Sequence, residues 1–390
     1  MTEPLRILML HNRYLIRGGE DVSTEVQVEL LRNAGHDVVL AEESNERIAE
    51  LGKAATASRT IWSRESYKRV AGILGESRFD IMHVQNWFPL FSPSIYYAAN
   101  KADVPVVQSL RNFRLLCPQG MLYRDGNVCT ECVGKSVAWP GVRYGCYRDS
   151  TLGTAVVATM STGHRWAGTW KRKIHRYVAP SQYAREVFVD AGWDREAIDV
   201  IPNFIYPDPG EGPGDGGFAL FAGRLDPVKG LDTLLAAWDD GGIDYPLKIA
   251  GTGPLLEQVK AAAARSSHIE YVGMLDKAAY EELMGQASFA VVPTVGIETF
   301  GRVAAEALAK GTPAIVADHG GLSEIVAAGE TGLLFPPGDV AALKARIRTL
   351  VTDSQRLLAM REACRRSYAS TYSSDRALAA WTDLYTEARE

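Results

Sequence analysis

Short apolar runs recur along the chain, each followed by a glycine-containing loop and then by a segment of helical periodicity. Ile7-Leu8-Met9-Leu10 gives way to polar His11-Asn12-Arg13 and a loop through Gly18-Gly19. The pattern then predicts a helix over about residues 21–33, stopped by Ala34-Gly35-His36. Val38-Val39-Leu40, Asp80–Val84 and Val104–Val107 read as further strands. The same alternation restarts at Phe218: a strand over Phe218–Ala222, a loop at Gly223-Arg224 and a helix over Leu231–Trp238. Strands are predicted at Leu247–Ala250, Ile269–Val272, Phe289–Val292 and Ala314–Val316, and a last helix from Ser374 to Glu390. Continuously apolar strands separated by helices predict parallel sheets covered on both faces.

Between the two halves lies Pro207–Gly217, with five glycines and three prolines in eleven residues, which reads as a linker. The expected organisation is α/β, with two doubly wound, Rossmann-like domains facing a cleft. Residues 1–206 form the first, with a cysteine-rich insertion over 111–150; residues 207–371 form the second, and 372–390 a terminal helix. In open sheets of this kind ligands sit at the carboxyl ends of the strands, so a small-molecule or nucleotide site is expected there.

A length of 390 residues suits two such domains. With 46% apolar and 23% charged residues, disorder and low-complexity architectures are excluded. The net charge of −5 argues against a nucleic-acid coat, and no nucleic-acid partner is expected. No run of 18 apolar residues is present, and the four at Ile7–Leu10 are too few for a secretory signal, so a cytoplasmic location is expected.

Candidate chemistry concentrates in the second half. Pro293-Thr-Val-Gly-Ile-Glu298-Thr-Phe-Gly301-Arg302 carries a strand end through a loop into a helix that Gly311 and Pro313 stop. The first turn of such a helix exposes backbone N–H groups and the positive end of the dipole, which suits a phosphate. Glu298 and, within the helix, Glu306 offer two carboxylates to two sets of hydroxyls; the competing reading is acids on an ordinary helix. Gly223-Arg224 with Lys229 places two cations at the opening of another helix, where they would neutralise a diphosphate or merely face solvent. Gly251-Thr-Gly253 lacks the third glycine of a dinucleotide fingerprint, since position 256 is Leu. Gly18-Gly19 permits close backbone approach to a ligand, or is a plain turn.

These stretches, with Gly320-Gly321-Leu-Ser-Glu324 and Thr331–Asp339, resemble a family 4 glycosyltransferase of the GT-B fold over essentially the whole chain. The most specific element is Glu-x7-Glu, Glu298 to Glu306. The resemblance implies a retaining enzyme that moves a sugar from a nucleotide-diphosphate donor, a UDP- or GDP-sugar, to a hydroxyl of a glycan or lipid-linked acceptor without a catalytic metal. It implies that Arg224 and Lys229 hold the diphosphate and, with Glu298, form the catalytic set. Glu306 would bind the ribose, Glu298 and the backbone of Phe300 and Gly301 the donor sugar, and the base would lie near Gly273 and Met274. Arg302, Gly18 and Gly19 would complete the donor side, and the last helix would cross back to the first domain.

A narrower resemblance, over residues 80–150, is to a bacterial subgroup that makes surface polysaccharides. It rests on Asp80–Leu90 and on Arg111-Asn112-Phe-Arg-Leu-Leu-Cys117-Pro. It makes His83 and Asn112 acceptor-side candidates. The position of Arg111 is often His in that subgroup, near the donor's C6 group; Arg111 would pair with a C6 carboxylate or make a structural salt bridge.

Cys117, Cys129, Cys132 and Cys146 are spaced C-x11-C-x2-C-x13-C around a predicted hairpin. The spacing is compatible with a structural zinc, with reduced thiols or with disulfides. Cys364 is expected to be a buried helix residue. Arg165-Trp166 and Trp170–Lys173 would either lie peripherally on an anionic membrane surface carrying a lipid-linked acceptor, or pack tryptophans inside with cations in water. Other classes in competition are a catalytically silent binding subunit, a zinc-ribbon nucleic-acid module and a two-domain dehydrogenase.

Overall fold

The computed structural model describes residues 3–239 and 243–389, which fall into two compact units. The first comprises residues up to Leu122, Cys129–Pro202 and the chain from Ala377; the second comprises Tyr123–Val128 and Asn203–Arg376.

The first unit is built on strands β1 (Arg6–Arg13), β2 (Asp37–Ser44), β3 (Ile81–Asn86) and β4 (Val106–Ser109). A two-residue antiparallel hairpin, β5 (Tyr123–Arg124) and β6 (Asn127–Val128), follows and groups with the second unit. Its turn is Asp125-Gly126, both with positive φ (52° and 81°), the geometry that matches the twist of a hairpin. Strands β7 (Arg176–Ala179) and β8 (Ile198–Val200) complete a six-stranded sheet in the order β2-β1-β3-β4-β7-β8, parallel throughout. Ile7, Leu8, Met9 and Leu10 have no exposed surface; burying each such side chain contributes about 1.5–3 kcal/mol. The helix Ser374–Arg389 packs in this unit from residue 377, burying Trp381, Leu384 and Tyr385.

The second unit holds β9 (Ala219–Ala222), β10 (Leu247–Ala250), β11 (Ile269–Gly273), β12 (Phe289–Val292), β13 (Ala314–Ala317) and β14 (Gly332–Phe335). These form a parallel sheet in the order β11-β10-β9-β12-β13-β14. One apolar cluster, with Trp238 and Phe289, fills one face; a second, with Phe300 and Tyr368, fills the other.

The Pro207–Gly217 stretch is not the free linker that its composition predicts. It is a strap bound to the second unit: Gly212 N donates to Lys310 O at 3.0 Å, Gly214 N to Gly285 O at 2.8 Å and Gly216 N to Gln286 O at 2.9 Å. Arg361 and Arg365 fasten it from the helix Ser354–Ser367, through Gly212 O and Asp208. A Cβ on Gly212 would lie 2.2 Å from Gly285 Cα, so glycine is required there for close approach and not for freedom.

Candidate active site

In the second unit the chain leaves β9 to form β10 on one side and later returns to place β12 on the other, so the gap between β9 and β12 is its topological switch point. The loops that follow these two strands carry Arg224, Lys229 and Glu298. After β9, Asp226 caps a short turn by accepting from Val228 N at 3.2 Å, and Gly230 turns the chain at φ 73°. A side chain on Gly230 would put Cβ 1.8 Å from Pro293 O. After β12, Val295 N donates to Val228 O at 2.9 Å, which locks the two loops together. Gly301, at φ 107°, then opens the helix Arg302–Ala309, whose alanine-rich sequence favours helix and which Gly311 ends at φ 68°.

This framework brings Lys229 Nζ to 2.6 Å from Glu298 Oε1. The same oxygen accepts from Thr294 Oγ1 at 3.0 Å. Burial works to raise the Glu298 carboxyl; the charge and hydrogen bond of Lys229, the Thr294 hydroxyl and the charge of His319 outweigh it and hold the group below its ordinary value. Glu306, one helical turn into the Arg302–Ala309 helix, accepts from Arg302 Nε at 2.7 Å and from Tyr280 Oη at 2.7 Å. Burial, followed by the Glu306 charge, pushes the Tyr280 hydroxyl well above its ordinary value, so it remains a donor. Arg224 is half-exposed, at 2.9 Å from Asp226 Oδ2. Arg224, Lys229, Glu298, Glu306 and the start of a helix thus share one edge of a sheet, an arrangement suited to a phosphate with hydroxyls on either side.

Phe300 turns its ring into the core against Tyr372, leaving only its backbone for a ligand. Gly320 and Gly321 press on the same loop, Gly321 N donating to Glu298 O at 2.9 Å. Gly273 closes β11 at φ 86° and Met274 beside it is exposed. Thr294, His319 and Tyr280 are contacts that sequence reasoning missed: Thr294 lies in the quoted Pro293–Arg302 stretch without being singled out, and His319 and Tyr280 are lone polar residues on other elements.

In the first unit Gly18 caps the helix Gly19–Asn33, its N–H donating to Asp21 Oδ2 at 2.8 Å. The switch point here lies between β1 and β3. Asn112 Nδ2 donates to Glu20 Oε1 at 3.0 Å, and Tyr14 donates to the other Glu20 oxygen at 3.0 Å. Arg111 donates to Gln85 Oε1 at 2.8 and 3.1 Å and reaches Gln27 Oε1 at 3.4 Å, so neutral amides tether it.

His83 does not fit the acceptor-side role. It has no exposed surface; Nδ1 lies 2.7 Å from Tyr385 Oη and Nε2 lies 2.9 Å from Ser109 Oγ. Both ring nitrogens are engaged in the packing of the terminal helix and its neighbours. The basic aromatic stretch also divides: Trp166 is exposed, whereas Trp170 is buried against Trp87 and Tyr96. Among the described residues no helix is long and apolar enough to cross a membrane.

No disulfide is formed among the five cysteines, so the disulfide alternative is not realised. Cys132 Sγ accepts from Gly141 N at 3.3 Å, and burial pushes its thiol up to about 11, with the other three thiols of the segment close enough to add to the shift. Among the described residues no group of three or more His, Cys, Asp or Glu is arranged to hold a metal ion. Cys364 is buried as expected, its thiol pushed up to about 12 by burial.

Residues 207–367 match the family model for glycosyl transferases group 1, and residues 18–203 that for the glycosyl transferase 4-like domain. An uncharacterized glycosyltransferase of Methanocaldococcus jannaschii is 34% identical over 182 residues, 46% of this chain and 50% of that protein. The phosphatidyl-myo-inositol mannosyltransferase of Mycobacterium leprae is 33% identical over 218 residues, 50% of this chain and 56% of that protein. The chain thus spans about half the length of these two relatives. The crystal structure of Anabaena HepE in complex with UDP is similar in fold, with a TM-score of 0.68 at 17% identity, over 98% of this chain and 100% of that one.

Proposed function

We propose that this chain, which carries a glycosyl transferase 4-like domain ahead of a group 1 domain in the GT-B fold, transfers a sugar from a nucleotide-diphosphate donor to an acceptor hydroxyl. The observation that carries the reading is the pairing of Lys229 with Glu298 at the β9/β12 switch point, beside Arg224 and the start of the Arg302–Ala309 helix. In this reading the bond between the sugar's anomeric carbon and the phosphate oxygen breaks, and the acceptor oxygen takes that place. The departing nucleoside diphosphate takes up the acceptor's proton. Arg224, Lys229 and the helix N-terminus stabilise the charge that grows on the leaving phosphate. Glu298 accepts hydroxyls of the donor sugar and Glu306 those of the ribose.

Retention of configuration, a UDP or GDP base, a glycan or lipid-linked acceptor in surface polysaccharide synthesis and a cytoplasmic site with peripheral contact at the membrane belong to this proposal. The mannosyltransferase and UDP-bound relatives support its general direction. A uronic donor read by Arg111 belongs to it too; turnover of neutral hexose donors alone removes that part. A structural zinc at Cys117, Cys129, Cys132 and Cys146 is a separate part of the proposal. Elemental analysis of protein purified without added metal decides it.

Thermal-shift screening against UDP, GDP and their sugars tests the reading, since a ligand of the native state raises its melting temperature. One nucleotide class is expected to stabilise, and Glu298→Ala to abolish transfer. No shift with any of them removes the proposal; transfer left unchanged in Glu298→Ala removes Glu298 from the catalytic set, and a wild type that binds the nucleotide sugar without transferring it favours a silent binding subunit.

A further inference from the structure

Lys229 has two anionic partners to serve: the Glu298 carboxylate, to which it is bonded, and the donor's diphosphate. When the ammonium turns to phosphate, Glu298 loses the group that contributes most to keeping it ionised and in place. Something else must then hold the carboxylate toward the sugar.

The remaining contacts supply it. Thr294 is buried, with 2% of its surface exposed, and its hydroxyl donates to Glu298 Oε1 at 3.0 Å. Branching at Cβ restricts the threonine side chain, so the hydroxyl arrives with little freedom to lose. The Thr294 carbonyl in turn lies 2.8 Å from His319 Nε2. A carbonyl oxygen only accepts, so Nε2 carries the proton in that bond. His319 stands after β13 on the loop whose next glycines pack on Glu298, where a Cβ on Gly320 would approach Glu298 O to 2.7 Å. The loops after β12 and β13 therefore brace each other through Thr294. Both side-chain bonds to Glu298 fall on Oε1, and Oε2 accepts neither of them.

We propose that Thr294 and His319 are positioning residues that keep Glu298 aimed at the donor sugar once Lys229 has moved to the diphosphate. The inference rests on the glycosyltransferase reading. It assigns the sugar, and not the nucleotide, as the part of the donor that depends on the two residues.

Calorimetric binding without acceptor separates the two parts. The probes are UDP and GDP, each free and as its glucose or mannose conjugate, against wild type, Thr294→Val, Thr294→Ser, His319→Phe and His319→Gln. Thr294→Val keeps the shape and removes the hydroxyl. It is expected to weaken the nucleotide sugar about fivefold to tenfold, less than the full worth of one hydrogen bond to a charged group because the hydroxyl acts through Glu298, while the free nucleoside diphosphate binds within about twofold of wild type. Thr294→Ser is expected to restore the sugar's contribution. His319→Phe should weaken the nucleotide sugar in the same selective way, and His319→Gln, which retains an N–H donor, less so. If Thr294→Val binds both ligands as wild type does, or loses both equally, the inference is overturned and the reading stands. Should Thr294→Val not fold, the His319 pair, at a partly exposed position, decides the same question. If wild type binds neither nucleotides nor their sugars, the reading itself falls and takes the inference with it.

Discussion

Lys229 and Glu298 stand 69 residues apart in sequence, with 2.6 Å between ammonium and carboxylate. The pair depends on two adjacent strands ending at the same edge of a sheet and on Gly230 lying flush against Pro293 O. Its two members are about a third and a fifth exposed, so a ligand entering the loops can compete for either charge.

That competition makes Lys229→Met informative. A methionine of similar length keeps the packing and removes the cation. Free nucleoside diphosphate is expected to bind about 10- to 100-fold more weakly, the loss of one charge-assisted hydrogen bond worth ~1.5–3 kcal/mol. The Glu298 carboxyl should titrate higher than in wild type, because the charge that does most to lower it is gone. Unchanged nucleotide affinity in the variant contradicts the assignment of Lys229 to the diphosphate.

Acid should weaken the first unit before the carboxylates of the second begin to titrate. His36, His83, His164 and His175 all lie in the first unit, and burial lowers each below the ordinary value of 6.5; the Arg111 charge lowers His83 further. The unfolded chain therefore takes up protons near pH 6.5 that the folded chain refuses, and stability falls as pH drops below that value. Glu298 adds stability in full above its unfolded value of about 4.3, and that part is lost only as pH falls through its lower folded value. The melting temperature is expected to decline steadily from about pH 7 to about pH 5, and less steeply in His83→Gln. A flat or rising profile over that range would contradict the buried, neutral state of these rings.

Two glycine substitutions are expected to act with opposite sign. In Gly212→Ala the new Cβ meets backbone at 2.2 Å, and the strap must lift from the second unit. The expected loss is about 1–3 kcal/mol, the range for overpacking. Gly72 lies within the helix Arg64–Glu76 with open space where Cβ would stand. Gly72→Ala should stabilise by about 0.5–1 kcal/mol through helix propensity. Denaturant melts compare the two; a neutral Gly212→Ala would restore the view of this segment as a free linker.

The strap illustrates what a sequence conceals. Glycine serves backbone freedom and close approach with the same letter, and only Gly285 and Lys310, far along the chain, distinguish the two. The strands at Ile7–Leu10, Leu247–Ala250 and Phe289–Val292 were legible because a strand buried on both faces leaves an unbroken apolar run. Strand β8, with Asp199 at its centre, has no such run and went unread. Glu298 and Glu306 were legible because they share one local loop-helix element. Thr294, Tyr280 and His319 were not, since the first is an unremarkable loop residue and the others reach the site from separate elements. His83, a candidate through the narrower resemblance, is instead buried, and the Tyr385 hydroxyl that occupies it comes from 302 residues downstream.

Tyr280 offers a test on the ribose side that is independent of the sugar. Its hydroxyl and Arg302 each hold one oxygen of Glu306, at 2.7 Å, so the carboxylate is fixed from both sides. Tyr280→Phe removes one of the two without altering volume or charge. If Glu306 receives the ribose hydroxyls, loosening it should weaken the free nucleoside diphosphate and its sugar conjugate by the same factor, about threefold to tenfold, since Tyr280 acts on the ligand only through Glu306. Thr294→Val is expected to weaken the conjugate alone, so calorimetry on the two variants places each acid on its own part of the donor. The deoxyribose nucleotide gives a further reading, because a ligand lacking the 2′-hydroxyl has less to lose from Tyr280→Phe. An equal loss for ribose and deoxyribose nucleotides would move Glu306 away from the 2′-hydroxyl and leave Tyr280 as a contact of the protein interior.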